Sequence, residues 1–209
     1  MQNQSFNFGN TLFHDAANLG HFEICRLFLD NIVDINPSNS MGLTPLHICA
    51  DRGFLDICLL IINKLRNGDK NPADFNQGTT PLHAAAENGH IEVCKLIMAH
   101  LVNKSPKDNA GWTPLHIAVE HNYVALCELI LNEVEDANPR NNGWTTPLHL
   151  AARNGNLEIC DLILKKTSDY QPKDKLGWTP LHLACKSGHL KVYQTILNKV
   201  KDKNPITND

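Results

Sequence analysis

"GWTPLHIA" occupies residues 111–118, and "GWTPLHLA" follows at 177–184. A His that returns in one frame is either part of a chemical site or a building device, and the wider chain decides between the two. The Thr of this word recurs at Thr11, Thr44, Thr80, Thr113, Thr146 and Thr179, at separations of 33, 36, 33, 33 and 33 residues. The word reads "TLFH" once and "TPLH" five times. Self-similarity at one period is the signature of stacked repeats, none of which has enough core to stand alone.

The fourth repeat shows how the letters build the unit. Thr113 suits an N-cap, and Pro114 suits the first helical position, where a missing N–H has no partner to lose. Leu115, Ile117 and Ala118 give a short first helix. Asn122 then stands where the other repeats have Gly20, Gly53, Gly89, Gly155 and Gly188. Gly and Asn are the residues that tolerate the left-handed conformation ending a helix. Val124, Leu126, Cys127, Leu129, Ile130 and Leu131 mark a second helix by their spacing. The turn-rich "ANPRNNGW" (137–144) leads as a hairpin to the next Thr.

This word, followed by two short helices at a period of about 33 residues, resembles the ankyrin repeat. The resemblance spans nearly all of the 209-residue chain as one domain of six repeats, 8–39, 40–75, 76–108, 109–141, 142–174 and 175–206. It implies an all-α solenoid with short β-hairpin loops. It also implies that the repeated His bridges backbone and the capping Thr hydroxyl, and that helix one and the hairpins form the face that grips partners. The chain departs from the family pattern in three places. Where helix two usually ends on Gly it carries Ile32, Leu65, Leu101, Val134, Thr167 or Val200, which predicts a longer or differently capped second helix. A three-residue insertion around "RNGDKNP" (66–72) predicts a wider loop. In "NNGWTTPLH" (141–149) the Gly falls one residue early, so the hairpin entering Thr146 should differ locally.

An open stack must finish with more polar faces. Asp15 occupies a frame held elsewhere by Ile48, Ala84, Ile117, Leu150 and Leu183. At the other end Tyr193 and Thr195 replace the Cys and Leu of helix two, and Lys191, Lys199, Lys201 and Lys203 crowd around them. Both ends therefore read as solvent-facing and the array as complete, while "KNPITND" (203–209) begins another hairpin and leaves continuation into a longer protein open.

Composition excludes several classes. The chain is 42% hydrophobic and 20% charged, as ordinary globular units are. A net charge of −3 offers phosphates no global attraction, which argues against a nucleic-acid partner. "MQNQSFNFGN" has neither a basic nor an apolar leader region, and no apolar run approaches the ~18 residues of a membrane span. Seven Cys, an odd number without close spacing, suit a reducing home, the cytoplasm with the nucleus also open to it.

The histidines His14, His47, His83, His116, His149 and His182 recur once per repeat. Stacked helices lie about 10 Å apart, whereas zinc needs ligands within about 2.3 Å of the metal, so these rings cannot converge on one ion. Cys25, Cys58, Cys94, Cys127 and Cys160 share a helix-two frame under the same logic. Cys49 and Cys185 replace small residues of helix one, and all seven read as small buried apolar groups. No phosphate loop, HExxH or GxSxG signature occurs, and Glu133 and Glu135 lie on a solvated helix end. The expectation is no catalytic residue, no metal, no cofactor and no small-molecule substrate.

Recognition has better candidates. Trp112 and Trp178 directly precede the capping Thr, and Trp144 precedes it by two. Each indole has two uses open to it: packing on its own hairpin, or contact with a partner, where Trp is enriched at hot spots. The end of helix one reads Asn18, Asp51, Glu87, Glu120, Arg153 and Lys186 along the repeats, and the next frame adds Leu19, Arg52, Asn88, His121, Asn154 and Ser187. Residues 1–160 hold 10 basic and 17 acidic side chains, and residues 161–209 hold 9 and 5. Such variation over a constant frame fits either a recognition surface or an ordinary solvated face.

The function expected is a monomeric, non-catalytic module or scaffold binding a partner protein through Trp112, Trp144, Trp178, Asp51, Glu87, Glu120, His121, Arg153 and Lys186. The partner should be basic against repeats two to four and acidic or neutral against five and six. Two alternatives stand beside it: the regulatory domain of a larger enzyme or channel, and a substrate for the Asn hydroxylation that the resemblance implies, at Asn36, Asn71, Asn138 and Asn204.

Overall fold

Each capping Thr sits in extended backbone, from φ −82° at Thr11 to −115° at Thr80, and the His three residues on folds back to it, so a helix begins at every Thr. The computed structural model describes residues 9–31, 34–65 and 70–208, and among these it contains twelve helices and no strand. The chain divides into two compact halves, Met1–Asn103 and Lys104–Asp209.

The N-terminal half holds α1 (Leu12–Asn18), α2 (Phe22–Asn31), α3 (Pro45–Arg52), α4 (Leu55–Lys64), α5 (Pro81–Glu87) and α6 (Ile91–Met98). The C-terminal half holds α7 (Pro114–Glu120), α8 (Val124–Glu133), α9 (Pro147–Asn154), α10 (Leu157–Lys166), α11 (Pro180–Lys186) and α12 (Leu190–Leu197). In the first half α1 packs on α3 and α3 on α5, while α2 packs on α4 and α4 on α6. The second half repeats the scheme, with α7, α9 and α11 in one layer and α8, α10 and α12 in the other. Between the layers lie side chains such as Leu46, Ile57, Ile61, Leu82 and Ile97 in one half, and Leu115, Leu126, Ile130 and Leu148 in the other, each at most 2% exposed.

Helix one ends as the sequence predicts. Gly53 and Gly155 cap α3 and α9 in the left-handed region, and Asn122 at φ +62° takes that conformation after α7. Helix two ends differently: α8 and α10 run into extended backbone at Val134 and Thr167, with ψ of 148° and 152° and no left-handed residue. Ile32 and residues 66–69 of the loop that carries the insertion lie outside the described residues. The hairpin loops are tight turns rather than strands. Asp108 N–H donates to Trp112 O at 2.9 Å, and single bonds such as Asn142 N–H to Ala110 O, 2.9 Å, join one hairpin to the next.

The ends are less uniform than expected. Asp15 is exposed, but so are Leu12, Leu19, Ile24 and Leu27, because no described element covers the face of repeat one that neighbours cover elsewhere. Tyr193 and Thr195 are half-buried amid exposed lysines, and Cys185, expected inside, is exposed on the last helix one. Among the described residues no helix is long and apolar enough to cross a membrane.

Candidate functional site

The repeated imidazoles are bricks. In all six repeats His Nδ1 accepts the N–H of the capping Thr, at 3.1–3.2 Å. With Nδ1 an acceptor, the proton rests on Nε2, which donates to a carbonyl of the next repeat: His14 to Leu43 O, His47 to Thr79 O, His116 to Thr145 O and His149 to Trp178 O, at 3.0–3.2 Å. Both nitrogens are committed in the neutral form, and burial penalises the cation. Desolvation lowers the His14 and His149 pKa below the ordinary imidazole value and brings His116 down to about 4. No group of three potential ligands among the described residues is placed to hold a metal ion.

The thiols need one correction. Cys25, Cys58, Cys94, Cys127 and Cys160 are buried as expected, and desolvation pushes Cys94, Cys127 and Cys160 up to about 12. Spacing along the ladder, however, says nothing about two frames meeting inside one repeat. Cys49 of α3 and Cys58 of α4 lie with Sγ atoms 3.0 Å apart, and burial holds the Cys49 thiol well above its usual pKa. This is a weak thiol contact in the core, not a nucleophile.

The recognition candidates fall into two groups. In the C-terminal half Trp112 and Trp178 are half-buried, each 5.6 Å from the ring of its own repeat's His, His116 and His182. Lys186, at the end of α11, places Nζ 4.6 Å from the Trp178 ring centroid. Trp144 stands out, 49% exposed at φ +62°, with the Arg140 guanidinium 5.8 Å from its ring. Arg153 Nη2 reaches both carboxylate oxygens of Glu120, at 2.7 and 2.5 Å, and His121 stacks on Tyr123. In the N-terminal half Asp51 accepts from Asn88 Nδ2 at 2.9 Å, Arg52 donates to Asn18 at 3.0 Å, and Glu87 is exposed at the end of α5. Asp51, Glu87, His121, Arg153 and Lys186 are exposed, whereas Glu120 is half-buried and is neutralised by Arg153.

Some interlocking residues escaped the frame argument. His90 and His189 bond the helix-one carbonyls of Asp51 and Arg153 at 2.9 and 3.0 Å, and their rings lie over Gly53 and Gly155. The dipeptide "GH" at 20–21, 89–90 and 188–189 carried that signal. Asn36, Asn71 and Asn138 turn their side-chain oxygens to the N–H of Leu46, Leu82 and Leu148, at 3.0–3.2 Å, pinning each hairpin to its helix. A row of cations, Lys107, Arg140 and Lys173, repeats at 33 residues along the hairpins.

No curated protein matches the chain. The family model described as "Ankyrin repeats (3 copies)" matches residues 1–74, 62–141 and 126–208. Together with six Thr–His capped helix pairs, a match of that extent means that the chain belongs to the ankyrin-repeat family.

Proposed function

We propose that the protein is a monomeric, non-catalytic module that holds a partner protein on its hairpins and on the exposed ends of helix one. Ankyrin repeats are generic protein–protein interaction modules and are typically non-catalytic; the surface and the chemistry of the partner are the proposal. The observation that carries it is the 4.6 Å approach of Lys186 to Trp178, which makes a hairpin side chain and a helix-one end neighbours on one surface. A preformed face of this kind orders little on binding and so loses little affinity to entropy. Asp51 and Glu87 favour basic groups of the partner, and Lys186 favours acidic ones. With Glu120 bound to Arg153, that pair contributes position more than net charge.

The immobilised full chain should capture a defined set of proteins from its source cell at low salt. Chains carrying Glu87→Lys with Glu120→Lys, or Lys186→Glu, should each lose members of that set. Unchanged capture by both variants would show that this surface is not the one used.

A further inference from the structure

The hairpin of repeat five breaks a rule the others keep. Two residues before the capping Thr stands Gly9, Gly42, Gly78, Gly111 or Gly177, all at φ between +69° and +81°. In repeat five the same position is Trp144, at φ +62°. A bulky L-residue in the left-handed region is an outlier, and strain of this kind collects where a side chain must be held in a particular place. Gly143 would relieve it but sits one residue early. The displaced indole does not go into the core: it is 49% exposed, beside the Arg140 guanidinium.

Arg140 belongs to a row of cations. Lys107, Arg140 and Lys173 occupy one hairpin frame of the C-terminal half, all exposed, where the first two repeats have Ser38 and Ala73. Lys107 Nζ donates to Arg140 O at 2.8 Å and Lys173 Nζ to Ile206 O at 3.2 Å, which fixes their stems along the row. Lys107 and Arg140 also line an open polar hollow with Asn138 and Asp169. Arg140 lies 3.8 Å from Asp169 in an exposed pair, a contact worth little in water. At the next hairpin tip Leu176 is 60% exposed beside Lys175.

We infer that this hairpin edge, centred on Trp144, binds an extended acidic segment of a partner protein. An apolar side chain of the segment packs on Trp144 and Leu176, and its carboxylates pair with Lys107, Arg140 and Lys173. The inference rests on the protein-binding reading above, confines it to one edge, and at the hairpins of repeats three and four, where Lys107 and Arg140 stand, takes an acidic partner in place of the basic one expected from the helix-one frame. A peptide can space its carboxylates to match cations about 10 Å apart. Asp136 and Asp169 line the same hollow as Lys107 and Arg140; a peptide can place neutral residues opposite them, whereas a nucleic-acid strand, charged at every nucleotide, cannot.

A random twelve-residue peptide display library selected on the full chain at low salt tests this. Winners are measured as fluorescent peptides against the wild type and two variants. One exchanges Gly143→Trp with Trp144→Gly, which restores the ordinary hairpin; the other carries Arg140→Glu with Lys173→Glu. Enriched peptides should be acidic with at least one large apolar residue, and should bind both variants about tenfold or more weakly. The exchange variant should meanwhile unfold at higher urea than the wild type, so that lost binding cannot be lost folding. Neutral or basic winners, or acidic ones that bind both variants within about twofold of the wild type, overturn the inference. Winners that depend on Lys186, Asp51 or Glu87 alone overturn it while leaving the broader reading intact, and a library with no winners counts against both. An oligothymidine that binds as tightly as the acidic peptides overturns it in favour of a nucleic-acid partner.

Discussion

The Nε2 of His149 lies 3.1 Å from the carbonyl oxygen of Trp178, while Nδ1 of the same ring takes the N–H of Thr146 at 3.1 Å. One buried imidazole thus satisfies backbone groups of two repeats. His149→Ala strands both and leaves a cavity, so it should cost about 3 kcal/mol or more. His182 is half-buried and no carbonyl of a following repeat is described against its Nε2, so His182→Ala should cost roughly half as much. Urea unfolding of the two variants compares them. Equal losses would mean that the bond between repeats adds nothing.

Acid should weaken the fold through the same rings. The folded-state pKa of His116 is down at about 4 and those of His14 and His149 are also lowered, all by desolvation. Between about pH 4 and the unfolded value of about 6.5, the unfolded chain binds more protons, so stability is full above that window and is lost as pH falls through it. His116 alone accounts for about 3 kcal/mol at the acid end. The urea midpoint should fall steadily from pH 7 to pH 5, and less steeply in His116→Gln; parallel slopes would remove the ring from the account.

Two glycines separate backbone strain from crowding. Gly155 has φ +75°, and a Cβ there would stand 2.5 Å from His189 Cε1. Gly188 has φ +74° with nothing within 4 Å of its would-be Cβ. Gly188→Ala should therefore cost only the left-handed strain, about 1 kcal/mol, and Gly155→Ala about twice that or more. Thermal melts that rank them the other way would contradict the packing of His189 on Gly155.

Thiol labelling should single out one cysteine. Cys185 is exposed, whereas the other six are buried and Cys94, Cys127 and Cys160 have their pKa values pushed up to about 12. Brief iodoacetamide treatment of the native protein should modify Cys185 alone, with the rest reacting only in denaturant. Peptide mass spectrometry reads this directly. Early modification of Cys49 or Cys58 would show that their contact in the core opens readily.

The sequence by itself determined the repeat: where the first helix of each repeat starts and stops, that Asn122 does the work of a glycine, and that the histidines build rather than react. All of this is written within a few consecutive residues and confirmed by its return every 33 or so positions. That the end of helix one offers outward-facing frames was legible in the same way. Their partners were not. That Glu120 is held by Arg153, that Lys186 lies on Trp178, that Cys49 meets Cys58 and that Trp144 is turned outward against its backbone preference were decided only in the tertiary structure. A period tells which residues share a frame, but contact across repeats depends on side-chain rotamers and on the loop between, and neither repeats with the period.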